Sequence, residues 1–369
     1  MSKKKQSKKY EYEMIKEIKE QPEVVKRILD ERIDYKKNEI KISEFGSKKE
    51  KLKTMKRVMF LGCGSSYNAA LLGKLFFEEY AKVSGSVEYA DEFSVRQPII
   101  EEGTVVIALS QSGETGDTIK AVKLAKKEGA FIISFTNNKN SSLSKVSDVS
   151  IDLNTGKEKA LAATKTFLAQ VVLLMILALY INQIKEKNTI INKAIIKSLK
   201  TLPQKIKEVI KIEKDIKLLA SEIKEEKSFV VLGRNFNYPM ALEGAQKLKE
   251  TTYIHVEGMP TEEFNHGPKA IVDSDFYCIF IAPEDSVYKN NVKMIKEVKK
   301  AGGKNIIIAV EGDKLVKKLS DKVIYIPKID EVLNCIISVI PLQLLSYYTA
   351  LEKGINVDQP RNLSKYIAG

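Results

Sequence analysis

Two passages of this chain repeat one another in order at a spacing of about 170 residues, a domain-length period rather than a solenoid one. In the first, the apolar stretch Val58 to Leu61 runs into Gly62-Cys63-Gly64-Ser65-Ser66-Tyr67 and a helix-like segment from Asn68 to Tyr80. In the second, Phe229 to Leu232 runs into Gly233-Arg234-Asn235-Phe236-Asn237-Tyr238 and a helix-like segment to about Thr251. Further apolar runs follow at matching offsets, Val105 to Leu109 against Tyr277 to Ile281, and Phe131 to Phe135 against Asn305 to Val310. Each pair brackets a lysine-rich amphipathic helix, and Gly129 and Gly302-Gly303 fall where such a helix stops.

Alternating β and α segments with nearly continuous apolar strands predict a parallel sheet covered on both faces. The expected fold class is α/β, with two tandem Rossmann-like domains, each a doubly wound parallel sheet flanked by helices. Residues 1–45 are expected to form a basic tail and a helical arm from about Tyr10 to Phe45. Residues 46–225 hold the first sheet and a charged helical bridge, about Gln183 to Lys227, broken at Pro203. Residues 226–353 hold the second sheet, with a closing helix from Val332 to Lys353, and the polar stretch 354–369 must lie on the surface or reach into a site.

A length of 369 residues and a hydrophobic content of 44% suffice for two globular cores. The net charge of +13 comes mostly from lysines spread through every segment, so nucleic-acid binding is not expected. Lys3, Lys4, Lys5, Lys8 and Lys9 cluster before Tyr10 without aromatic interleaving and read as a solvated tail. Cys63, Cys278 and Cys335 follow no metal-ligand spacing and suit reduced thiols in the cytoplasm. His255 and His266 form no HExxH-type pair, so neither a zinc site nor any other cofactor is expected. The charged start is unlike a secretory signal, and the apolar run Val171 to Ile181 is too short to cross a bilayer and reads as a buried helix.

Ser110-Gln111-Ser112-Gly113-Glu114-Thr115-Gly116-Asp117-Thr118 directly follows an apolar strand and precedes a helix. At the carboxyl end of a parallel strand, helix-start amides and small hydroxyls can receive a phosphate, although an ordinary capped loop has the same composition. Gly64-Ser65-Ser66 ends the preceding strand on the same sheet edge and can add donors. Cys63 reads as a small packing residue, having no base nearby in sequence. Glu243, Lys247 and Glu250, spaced four and three apart, share one helix face, either as a surface salt-bridge row or as a base held beside a cation. His266, in the turn-prone Glu262-Glu263-Phe264-Asn265-His266-Gly267-Pro268, is a candidate for proton transfer, whereas His255 reads as structural. Lys365 by composition is one more solvated lysine.

Together these segments resemble the sugar-isomerase (SIS) family, and within it the isomerase half of the glucosamine-6-phosphate synthases. The resemblance is carried by KEIKEQP at Lys16 to Pro22, GCGSSY at Gly62 to Tyr67, SQSGETGDT at Ser110 to Thr118 and ATKTF at Ala163 to Phe167. It continues through ALEGAQKLKE at Ala241 to Glu250, FNHGP at Phe264 to Pro268 and VDQPRNLSK at Val357 to Lys365. It implies that Ser66, Ser110, Gln111, Ser112 and Thr115 hold a hexose phosphate, with Cys63, Gly64 and Ser65 lining the sugar and Glu243 beside them. It further implies that His266, often supplied by a neighbouring subunit, assists ring opening and that Lys365 forms a Schiff base with the open ketose, which ammonia replaces. Glu250 then moves a proton between C1 and C2, with Lys247 supporting it, and a homodimer is implied.

The full synthases carry a glutamine-hydrolysing domain that opens on a cysteine nucleophile, whereas this chain opens Met1-Ser2-Lys3, so no such domain is expected here. GMPTEEFNHGP and Ala163 also depart from the family's usual sequence, which leaves the direction of reaction open. The expected activity interconverts fructose 6-phosphate plus ammonia with glucosamine 6-phosphate, ammonia being free or drawn from a separate glutaminase subunit. The alternatives are a glucosamine-6-phosphate deaminase, a plain glucose 6-phosphate isomerase and a non-catalytic sugar-phosphate sensor.

Overall fold

The computed structural model describes residues 10–185 and 189–364. It opens with the helix Glu13–Arg32, shorter than the arm expected to reach Phe45. The chain turns there because the Asp34 carboxylate accepts from the amides of Lys36 and Lys37 and Asn38 takes a positive φ, giving a hairpin of β1 (Ile33–Asp34) and β2 (Glu39–Ile40).

Two five-stranded, all-parallel sheets follow. The first contains β3 (Arg57–Gly62), β4 (Ser84–Tyr89), β5 (Thr104–Leu109), β6 (Phe131–Thr136) and β7 (Val149–Asp152) in the order β4-β3-β5-β6-β7. The second contains β8 (Ser228–Gly233), β9 (His255–Pro260), β10 (Tyr277–Ile281), β11 (Lys304–Val310) and β12 (Lys322–Ile326) in the order β12-β11-β10-β8-β9. Both sheets thus have one winding. The first strand has the second on one side and the third on the other, which creates a switch point where the following loops diverge and a crevice opens. The apolar runs seen in the sequence are the three inner strands of each sheet. The edge strands β4, β7, β9 and β12 carry mixed, partly exposed side chains and lack that signal.

Alternate residues of the inner strands enter different cores, as expected for sheets covered twice. Val58 and Phe60 join a large inner cluster, while Met59 and Leu61 join an outer one. Phe229 and Val231 reach that same inner cluster from the second sheet, and Val230 and Leu232 face a separate outer one. The inner layer is therefore one continuous core between the sheets rather than two independent ones. Its filling includes the helices Lys165–Ile184 and Glu331–Glu352, each long and apolar enough to cross a membrane but with 89% and 94% of an apolar 18-residue stretch buried inside the fold. The first contains the run Val171 to Ile181, which is buried as expected but belongs to a helix of 20 residues. Pro203 starts a helix, Leu202–Ile210, where its missing N–H costs nothing, and the bridge continues as Glu213–Ile223.

Candidate active site

The switch point of the first sheet lies between β3 and β5, and the two hydroxyl-bearing loops leave from there. After β3, Gly64 adopts φ +54 and opens the helix Ser65–Phe76, which has no side-chain cap. After β5 the chain folds over its own hydroxyls: Ser110 Oγ accepts from the Gly113 amide at 3.1 Å and meets Thr115 Oγ1 at 2.9 Å. Ser112 Oγ accepts from the Glu114 amide at 3.1 Å. With the Thr115 hydroxyl engaged by Ser110, the helix Gly116–Lys127 also starts without a side-chain cap. Two uncapped helix starts thus converge on one crevice, an arrangement that favours an anion.

That crevice is a cavity of about 320 Å³. Cys63, Gly64, Ser65, Ser66, Ser110, Gln111, Ser112 and Thr115 line one side of it. Burial pushes the Cys63 thiol up, and its sulfur lies 3.9 Å from Thr118 Oγ1, which fits a packing residue better than a nucleophile.

The opposite wall comes from the second half, where the helix Tyr238–Thr252 brings Lys247 and Glu250 to the cavity. Glu243, Lys247 and Glu250 do not form a solvated row, since their side chains are 0%, 1% and 19% exposed. Lys247 Nζ lies 2.5 Å from Glu250 Oε2 and 3.6 Å from Glu243 Oε1. Burial pulls the Lys247 ammonium down, but the two carboxylates outweigh it, so the group is held charged above its ordinary range. Glu243 is pushed up by its own burial, against the pull of Lys247 and of donors from Asn68 and Ser65. It sits behind the cavity wall, accepting from Ser65 Oγ and from Asn68 Nδ2, each at 2.9 Å. Glu250, the most exposed of the three, is the carboxylate that a bound molecule can reach.

The C-terminal segment crosses the molecule to the same place. Asp358 accepts from the amides of Glu13 and Met14 at 2.7 and 3.0 Å, capping the first helix, and Val357 is buried. The Arg361 guanidinium stacks 4.2 Å from the Tyr253 ring. Leu363 and Ser364 then line the cavity. Lys365 lies outside the described residues. His266 is exposed after the turn Glu263–Asn265 and does not line this cavity. His255 is likewise exposed, at the start of edge strand β9.

Several contributors went unmarked in the sequence. Gln170 donates to Ser66 Oγ at 3.0 Å and is the lone amide in the apolar stretch from Phe167 to Ile181, a signal that was available. Glu158 lines the cavity and accepts from the amides of Thr164 and Thr166 at 3.0 and 3.1 Å. Its loop is tied to the first helix, where Glu17 accepts from the amides of Lys159 and Ala160 and Glu20 pairs with Lys165 at 2.8 Å. Those contacts account for the KEIKEQP stretch, and nothing local in the sequence announces them. Gln246 and Asn68 form a further bridge between the two walls.

The SIS domain model matches residues 51–180 and 222–353, one segment for each sheet. A glutamine–fructose-6-phosphate aminotransferase (isomerizing) of Bacteroides thetaiotaomicron is 41% identical over 361 residues, covering 97% of this chain and 58% of that protein. The Clostridium tetani protein of the same name is also 41% identical, covering 97% and 59%. The chain therefore spans less than two thirds of these relatives. Among solved structures, the C-terminal domain of glucosamine-fructose-6-phosphate aminotransferase from Francisella tularensis superposes with a TM-score of 0.89 at 35% identity, covering 95% of this chain and 99% of that one. Glucosamine-6-phosphate deaminase from Thermotoga maritima gives 0.73 at 26% identity, covering 96% and 99%. With both sheets inside the matched segments, the chain belongs to the SIS domain family.

Proposed function

We propose that this protein interconverts fructose 6-phosphate plus ammonia with glucosamine 6-phosphate. One observation carries the reading: a single cavity is walled on one side by hydroxyl-rich, uncapped helix starts and on the other by a buried lysine paired to a reachable carboxylate. The first wall suits a phosphate and sugar hydroxyls, and the second suits proton transfer next to a fixed positive charge. The names of the aminotransferase relatives support the substrate pair.

In the synthetic direction, Ser66, Ser110, Gln111, Ser112 and Thr115 hold the phosphate, and His266 of the partner subunit assists ring opening in a homodimer. The amine of Lys365 adds to the C2 carbonyl and water leaves, giving an imine. Ammonia then adds at C2 and releases the lysine. Glu250 takes a proton from C1, leaving an enolamine beside the Lys247 charge, and returns a proton to C2 while the C1 hydroxyl loses its own. The products are glucosamine 6-phosphate and water. Ammonia is free or comes from a separate glutaminase. The likeness to the Thermotoga maritima deaminase favours one second reading, the same steps run in reverse.

The test incubates purified protein with fructose 6-phosphate and ammonium, and separately with glucosamine 6-phosphate, measuring product and released ammonia. Turnover is expected in at least one direction, and Glu250→Gln is expected to lower kcat about a thousandfold while hexose phosphate still binds. Absence of turnover both ways would sink the proposal.

A further inference from the structure

Resting on that reading, we infer that Gln246 is a positioning residue that sets the plane of the Glu250 carboxylate and ties it, through Asn68, to the sugar-binding wall of the first half. Gln246 Nε2 donates to Glu250 Oε1 at 2.8 Å, while Lys247 Nζ holds Glu250 Oε2 at 2.5 Å. Asn68 Nδ2 donates to Gln246 Oε1 and to Glu243 Oε2, both at 2.9 Å.

The direction of this chain is fixed by its ends. Lys247 Nζ can only donate and lies beside both carboxyl groups, which therefore serve as acceptors, so the nitrogen of Asn68 faces Glu243 and the nitrogen of Gln246 faces Glu250. Only the orientation with Gln246 Oε1 toward Asn68 meets both demands.

Without Gln246, Glu250 retains the lysine as its partner on one oxygen only. The terminal torsion of a glutamate is broad, and a carboxylate gripped on one oxygen turns about it. Gripped on both, its lone pairs are aimed, and proton transfer depends on that aim. Asn68 stands on the helix whose first turn carries Ser65 and Ser66, so the base and the sugar loop share one rigid element. Gln246 Nε2 also lies 3.3 Å from where a Cβ on Gly64 would stand, so a side chain at Gly64 would crowd this contact between the two walls.

The experiment compares the full chain with Gln246→Leu, which keeps the bulk and removes both hydrogen bonds. Expected are a fall in kcat of at least about tenfold, KM for fructose 6-phosphate within about twofold, and a larger kinetic isotope effect with C1-deuterated substrate. Gln246→Met repeats the test should the leucine variant fold poorly. Unchanged kcat, or a rise in KM alone, overturns the assignment. If the unaltered protein turns over neither substrate, the proposed reaction fails while the relay is still decided by side-chain amide nitrogen-15 spectra. There the Gln246 resonance, identified by its loss in Gln246→Leu, is expected to exchange slowly and to move in Glu250→Ala. A fast-exchanging resonance unmoved by Glu250→Ala overturns the relay on its own.

Discussion

At the end of β5 the chain reads Ser110-Gln111-Ser112-Gly113, and at the equivalent end of β10 it reads Ala282-Pro283-Glu284-Asp285. The surrounding backbones agree. Gly64 and Asn235 follow the first strand of their halves and both take φ +54, although only the first is a glycine. What differs is the use made of the crevice. In the second half Phe236 stacks on Phe76 with ring centroids 5.6 Å apart, and Asn237 is consumed by Asp285 and Ser338. The neighbouring cavity of about 430 Å³ is lined by Glu79, Asp285, Asp330 and Glu331, charges that repel a phosphate. One winding therefore yields two switch points with different roles. The first gathers hydroxyls and uncapped helix starts, and the second is lined by carboxylates and a stacked ring while the helix beyond it lends its charges to the other half.

The largest effect that sharpens this contrast concerns that loan. Lys247→Met leaves Glu243 fully buried without its cation, and stability is expected to fall by about 3–5 kcal/mol in urea unfolding. Lys247→Met combined with Glu243→Leu is expected to recover more than half of the loss, since replacing a buried pair by apolar groups costs less than breaking it. Additive losses would show that the two charges are not coupled.

A smaller effect probes the loops directly. Gly113 has φ +68, and a Cβ there would stand 2.2 Å from Ser141 Oγ, so Gly113→Ala must displace the hydroxyl-rich turn. Calorimetric titration with fructose 6-phosphate is expected to show affinity reduced at least about tenfold. Ser286→Ala, in the loop of the second half, is expected to leave it within about twofold. Equal losses would erase the distinction between the switch points.

The inner strands and the helices between them were legible in the sequence because burial on both faces demands long apolar runs. The edge strands were not, since one open edge tolerates Ser84, Glu88 and Lys322. The hydroxyl-rich wall could be read from local spacing, as strand, hydroxyl loop and helix are contiguous. The second wall was read as a row of three charges, but its burial is a tertiary fact. It arises because Asn68 and Ser65, about 175 residues away in sequence, cover Glu243. The same holds for Glu158, Gln246 and the capping of Glu13 by Asp358, each a contact between segments that share no local signal.

The smallest effect tests whether the second switch point disfavours negative charge even in its own loop. Burial pushes the Asp285 carboxyl up to about 6 from 3.8, and nearby Glu331 adds to the shift while the Val287 amide and Asn237 oppose it. With the folded value above the unfolded one, the stability this group contributes is complete below about pH 4 and is lost as pH rises through about 6. The full shift corresponds to about 3 kcal/mol, but the side chain is only partly shielded from water, and about 1 kcal/mol is the expected remainder. Asp285→Asn removes the titration, so its Tm is expected to exceed that of the unaltered protein by about 2 °C at pH 8 and to match it near pH 4. A gap of equal size at both values would trace the effect to packing instead of charge at Asp285, leaving Glu79, Asp330 and Glu331 as the charges that turn a phosphate away.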